Sequence, residues 1–136
     1  MLDHILRKIS FGLILIISIF FLGSVSFAQD IIIGGALSST GVQAPLDEPG
    51  LRGAQVAVKA INDAGGLLGK KVKFINLDGK SDPVVVGNIA VELIDKGAAL
   101  FVAPCDFDFG GPAGREAQKA GIVGISTCAS DPLYSS

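Results

Sequence analysis

Apolar and polar positions along residues 29–136 follow two periods, which predicts alternating strands and helices. Short apolar runs rich in β-branched residues predict buried strands, and apolar residues spaced three or four apart predict amphipathic helices. The predicted strands are Ile31–Leu37, Val72–Leu77, Leu100–Ala103 and Ile122–Ile125. The predicted helices run from Leu51 to Gly65-Gly66, from Asp82-Pro83 to Gly97, and from Pro112 to Ala120, closed by Gly121.

This β-α-β-α-β-α-β order predicts the α/β class, with an open parallel sheet and helices on both faces. Parallel neighbours need crossover connections, and these are right-handed in nearly all proteins. Val72–Leu77 alternates in polarity, which predicts a strand near the edge of the sheet. No predicted helix covers the last strand before Ser136, so we expect the chain to be a fragment of a longer protein.

Residues 1–28 have the pattern of a cleaved signal peptide rather than of a folded segment. Arg7 and Lys8 precede the apolar run Phe11–Val25, and Ser26-Phe27-Ala28 forms a small-x-small cleavage site. The alternative is a membrane anchor, but a span needs roughly 20 apolar residues and this run has 15. We therefore expect cleavage after Ala28 and export to the periplasm, where disulfides can form.

Composition excludes several functional classes. Apolar residues make up 49% of the chain and charged residues 18%, which is not the composition of a disordered chain. A net charge of −2 provides no basic surface for nucleic acid or for a membrane. We therefore expect neither as a partner.

Catalytic and cofactor motifs are missing. The only histidine, His4, lies in the predicted signal peptide, so a serine or cysteine nucleophile would lack its usual base. The glycines of Gly34–Gly41 do not have the spacing of a dinucleotide-binding loop. Two cysteines do not supply the usual four ligands of structural zinc. We expect a protein that is not an enzyme and holds no metal or cofactor.

The candidate binding site is formed by the segments that follow three predicted strands. They are Ser38–Gln43, Pro104–Gly110 and Ser126–Asp131, all rich in hydroxyls, glycine and exposed amides. Ligands of open parallel sheets bind at the carboxyl ends of the strands, and N–H and O–H donors there suit a carboxylate or phosphate. Alternatively, these side chains only cap turns and helices.

The roles of the acidic residues near these segments can be interpreted in more than one way. Asp106 and Asp108 are two apart, and in an extended segment their side chains point to opposite faces. They would then serve a cation or remain solvated rather than act as a catalytic pair. Asp78 and Asp82 are predicted to be turn and cap residues.

The two cysteines follow predicted neighbouring strands. Cys105 comes after the third strand and Cys128 after the fourth, and neighbouring strands lie about 5 Å apart. Bridged cysteines have Cα atoms about 4.4–6.8 Å apart, so a disulfide is one prediction. Two separate buried thiols are an equally open alternative.

Several sequence blocks in this order resemble the leucine/isoleucine/valine-binding family of type I periplasmic binding proteins. The blocks are Ile32-Ile33-Gly34, Leu37–Gly41, Leu51–Ala57, Ile61–Gly69, Asp78–Pro83 and Ile125-Ser126 to Asp131-Pro132. R-G-A-x-x-A followed by I-N-x-A-G-G-x-x-G is the specific part, and the resemblance covers residues 30–136. It implies two α/β lobes that close around a ligand, with residues 29–136 forming the first part of the N-terminal lobe and the second lobe absent.

The resemblance also implies function and partners. Members are the extracytoplasmic solute-binding components of ABC importers, so it implies a permease, an ATPase and a protein that is monomeric at full length. The ligand would be an amino acid of the branched-chain type or a related small polar solute. Two alternatives are a ligand-sensing ectodomain of a membrane receptor with the same fold and a truncated α/β enzyme.

In this family the ligand carboxylate is held after the third and fourth strands. The resulting candidate ligand-binding residues, with two from the first loop, are Ser39, Thr40, Asp106, Phe107, Asp108, Ala129 and Ser130. Two segments depart from the family. Gln43–Leu46 replaces an aromatic residue before a glycine, and Asp106–Phe109 replaces hydroxyl-rich residues. Carboxylates there favour a ligand with an amine or cation. Some members pair the third-strand cysteine with one at the position of Ser81, which leaves only Cys128 here.

Overall fold

The computed structural model describes residues 29–129, 131 and 132. Its strands are β1 (Ile31–Gly35), β2 (Val72–Asn76), β3 (Ala98–Ala103) and β4 (Val123–Ser126). Its helices are α1 (Ala44–Asp63), α2 (Pro83–Asp95) and α3 (Phe107–Ala120). The strands and helices alternate as predicted, whereas the predicted signal peptide lies outside the described residues.

The four strands form one parallel sheet in the order β2-β1-β3-β4. β2 therefore lies at one edge, as its alternating pattern predicted. The chain leaves β1 in one direction to reach β2 and then crosses back to β3. With right-handed crossovers, this reversal places α1 on one face of the sheet and α2 and α3 on the other. The predicted fold class is confirmed.

The hydrophobic core lies between the sheet and the α2–α3 pair. Phe101 of β3 and Leu93 of α2 are fully buried there, together with Ala113 of α3. Gly34 of β1 has no side chain, and a Cβ at this position would lie 3.2 Å from both Leu93 and Phe101. A larger residue would push α2 away from the sheet, so the glycine permits this close packing.

The opposite face is less buried. The predicted apolar stripe of α1 is only partly buried, and this helix packs mainly against β2. On β4, Val123 is 61% exposed and Ile125 is 48% exposed. Among the described residues, the hydrophobic core therefore lies mainly on the face of the sheet that α2 and α3 cover.

The two helices nearest the site begin earlier than predicted. α1 starts at Ala44 rather than near Leu51, because Pro45 suits the first turn, where an N–H has no helical partner. α3 starts at Phe107 rather than at Pro112. The N–H groups of Phe109 and Gly110 both donate to the Asp106 carbonyl, which forms the first turn before the proline.

Smaller differences concern the ends of elements. The sequence also predicts Ala113, Ala117 and Ala120 on the inner side of α3. Ala113 and Ala117 are buried, but Ala120, the last residue before the left-handed Gly121, is exposed. β1 ends at Gly35, before the predicted Leu37, and β3 begins at Ala98, before the predicted Leu100. These shifts leave the order and direction of the strands unchanged.

Candidate functional site

The loops that follow β1 and β3 leave the carboxyl ends of the sheet toward opposite faces. These strands are neighbours, yet β1 continues to α1 on one face and β3 continues to α3 on the other. The loops therefore diverge, and ligands of open α/β sheets bind at such points. The loop after β4 lies at the same edge because β4 runs parallel to β3.

Asp78 fixes the loop after β1 against the loop after β2. Its carboxylate accepts the N–H groups of Ser39 at 2.8 Å, Thr40 at 3.3 Å and Lys80 at 2.9 Å. The Thr40 hydroxyl also donates to it at 2.7 Å. Desolvation raises the pKa of Asp78, but the hydrogen bonds, led by the Thr40 hydroxyl, outweigh it and hold this pKa below its ordinary value. The predicted turn role of Asp78 is confirmed.

Two serines complete the connection between these loops. The buried Ser38 hydroxyl oxygen accepts the Ser81 N–H at 3.1 Å. The Ser81 hydroxyl donates to the Thr40 carbonyl and accepts the Gln43 N–H, both at 2.9 Å. Lys80 and Ser81 both have positive φ angles, of 55° and 54°, which brings this turn against the first loop.

Asp47 links the loops after β1 and β3, and the sequence analysis did not identify it. It lies in the first turn of α1 with its side chain fully buried. Oδ2 accepts the Ser38 N–H at 2.8 Å, and Oδ1 accepts the Cys105 N–H at 2.8 Å. The available signal was an acidic residue just after Pro45, which is typical of a helix first turn.

A cavity of about 350 Å³ opens beside the loops after β3 and β4. It is called the groove below, and it is lined by Leu46, Cys105, Asp106, Phe107, Cys128, Asp131 and Pro132. This volume falls in the range of small-molecule sites, about 300–1,000 Å³. Among the described residues, the lining includes two carboxylates and no lysine or arginine, so its potential favours a positively charged group.

The structure joins the two cysteines of the groove in a disulfide. The Cα atoms of Cys105 and Cys128 are 4.9 Å apart, within the usual range for bridged cysteines. The Ser126 hydroxyl donates to the carbonyls of Pro104 at 3.1 Å and Cys105 at 3.3 Å. The loops after β3 and β4 are thus held together, while the presence of this bond in the exported protein stays a prediction.

The predicted ligand-binding residues separate into three groups. Asp106 and Phe107 line the groove. Ser39 and Thr40 lie at the same edge of the sheet, but their N–H groups and the Thr40 hydroxyl are directed to Asp78. Their ligand roles stay predictions.

The third group contains the remaining three predicted residues. Asp108 and Ala129 are exposed and do not line the groove. Ser130 lies outside the described residues. Asp106 precedes α3 and Asp108 lies in its first turn, so the expected extended segment is wrong. The ligand roles of Asp108, Ala129 and Ser130 stay predictions.

The described residues lack the features of a metal site and of a membrane-spanning helix. No group of three or more histidine, cysteine or acidic side chains in this part of the chain is placed to hold a metal ion. None of the described helices combines the length and apolar character needed to cross a membrane.

Residues 30–135 match the model of a family described as periplasmic binding protein. The chain is 33% identical over 105 residues to a Pseudomonas aeruginosa protein named amino acid binding protein, covering 76% of the chain and 28% of that relative. It is 28% identical over 129 residues to Leu/Ile/Val-binding protein homolog 1 of Brucella abortus, covering 95% of the chain and 34% of that relative. The chain thus spans about a third of the length of these curated relatives.

A solved structure has the same fold. It is the branched-chain amino acid transporter substrate binding protein LivJ from Streptococcus pneumoniae, in complex with isoleucine. The TM-score is 0.73 at 31% sequence identity, and the match covers 77% of this chain and 31% of that one.

Proposed function

This chain belongs to the periplasmic binding protein family, and on that premise we propose that it is part of the solute-binding component of an ABC importer. The observation that carries the proposal is a groove of ligand size at the carboxyl edge of a sheet that matches this family. The names of two relatives, amino acid binding protein and Leu/Ile/Val-binding protein homolog 1, support an amino acid as the solute.

The groove lining suits an amino acid with an apolar side chain. Leu46, Phe107 and Pro132 supply apolar surface, and Asp106 and Asp131 supply carboxylates. A carboxylate beside an ammonium group stabilises its charged form and forms strong hydrogen bonds with it. The solute therefore carries an amine, and a simple organic acid without one is disfavoured.

The described residues form one wall of the proposed site. A bound small molecule usually loses about 70–90% of its surface to the protein, which a one-sided groove does not achieve. Because the chain spans about a third of its curated relatives, we propose that a second lobe of the full protein closes over the groove. The family is extracytoplasmic, and we propose export by cleavage after Ala28 and delivery of the solute to a permease and its ATPase.

Calorimetric titration of the full-length exported protein tests this proposal. The panel contains leucine, isoleucine and valine, with isocaproate as the analogue of leucine that lacks the amine. We expect saturable one-to-one binding of at least one amino acid. We expect leucine to bind at least about tenfold more tightly than isocaproate, because a charged hydrogen bond contributes about 1.5–3 kcal/mol.

Two results would count against it. If no amino acid in the panel binds, the proposed solute class is wrong. If isocaproate binds as tightly as leucine, the groove carboxylates do not recognise an amine, and the proposed role of Asp106 and Asp131 is lost.

A further inference from the structure

We propose that Asp47 is a positioning residue that holds the loops after β1 and β3 in the geometry that binds solute. This inference rests on the proposed function. Asp47 is the one charged side chain that is buried among the described residues. Burial of a carboxylate is costly unless its oxygens are paired, so its contacts indicate what it does.

Each oxygen of this carboxylate contacts a different loop. Oδ2 accepts the N–H of Ser38, and Oδ1 accepts the N–H of Cys105, both at 2.8 Å. Cys105 is 58 positions away along the chain, and Asp47 itself belongs to α1. One side chain therefore connects the loop after β1, the loop after β3 and the first turn of α1.

The contact with Cys105 reaches the groove directly. The Cys105 backbone is held by Asp47, its sulfur is joined to Cys128, and the next residue is Asp106. The Asp106 carbonyl in turn accepts N–H groups from the first turn of α3. A displacement of Cys105 would therefore move Asp106 and Phe107, the wall of the groove that we propose contacts the solute.

Asp82 provides a matched control. Its carboxylate also accepts two backbone N–H groups, those of Val84 at 2.8 Å and Val85 at 3.2 Å. Both partners belong to α2, and none of the three residues lines the groove. An Asp→Asn change keeps the size of the side chain at both positions. At Asp82 one oxygen accepts both N–H groups, so the amide oxygen of asparagine still accepts them more weakly. At Asp47 each oxygen serves a different loop, so asparagine loses one of the two acceptors.

The first test compares leucine binding by the full-length exported protein and by its Asp47→Asn and Asp82→Asn variants. All three are titrated under conditions where circular dichroism shows them folded. We expect Asp47→Asn to weaken leucine binding by at least about tenfold and Asp82→Asn to change it by less than about twofold. Equal affinity of Asp47→Asn and the unaltered protein would overturn the proposal.

The second test needs no ligand and no variant. In the unaltered protein, the amides of Ser38 and Cys105 should exchange hydrogen at least about tenfold more slowly than the amide of the exposed Val42. Exchange as fast as that of Val42 would show that Asp47 does not hold the loops and would overturn the proposal. Absence of binding of leucine, isoleucine and valine by the unaltered protein would instead contradict the proposed function, so the two failures are distinguishable.

Discussion

Replacement of Phe101 by alanine is expected to lower the free energy of unfolding by about 3–5 kcal/mol. The Phe101 ring is fully buried in the core between β3 and the α2–α3 pair. Removal of the ring loses the free energy gained by burying its apolar surface. It also leaves a cavity that the close-packed neighbours fill only partly. Since domains of this kind are stable by about 5–15 kcal/mol, this loss would be a large fraction of the total stability.

Denaturant unfolding followed by circular dichroism measures this effect, with Val123→Ala as the control. Val123 also lies on a strand of the sheet, but its side chain is 61% exposed, so its loss should change the unfolding free energy by less than about 1 kcal/mol. Phe101→Ala and Val123→Ala variants of equal stability would contradict the location of the core.

Removal of the Cys105–Cys128 bond is expected to cost about 3 kcal/mol of stability. The cysteines are 23 positions apart, and closing a loop of this size restricts the unfolded chain by roughly that amount. The Cys105→Ser/Cys128→Ser double variant should therefore unfold at lower denaturant concentration than the unaltered protein. A reducing agent should destabilise the unaltered protein to a similar extent and leave the double variant unchanged.

Thiol counting decides whether the exported protein carries this bond. The protein is unfolded without reductant and reacted with a thiol reagent, which should find no free thiol. Two free thiols would show that Cys105 and Cys128 are separate, the alternative that the sequence left open. A reductant effect of equal size on the double variant would show that the loss of stability has another cause.

Local patterns predicted the fold well because its elements have local signals. The family resemblance and the parallel α/β class are both confirmed. Asp82 and Pro83 marked the start of α2, and the structure shows Asp82 accepting N–H groups of its first turn. The predicted starts of α1 at Leu51 and of α3 at Pro112 were wrong, because both helices begin earlier and contain Pro49 and Pro112 in their interior.

The site was predicted less completely because its contacts are long-range. The sequence placed Asp106 at the correct edge of the sheet, and the structure shows it lining the groove. It did not indicate that Thr40 would be bound to Asp78, 38 positions away, or that Asp47 would reach Cys105. Such contacts depend on how loops pack after the sheet has formed, which hydrophobic periodicity does not encode.

The most direct test of the central claim is to map where leucine binds on the isotope-labelled, full-length exported protein by amide chemical shifts. We expect the amide signals of Asp106 and Phe107 in the groove to shift on titration. We expect no shift for Leu68, before β2, or for Gly97, before β3. Both lie at the amino ends of the strands, opposite the groove. Shifts centred on Leu68 and Gly97, with Asp106 and Phe107 unmoved, would contradict a binding site at the carboxyl edge.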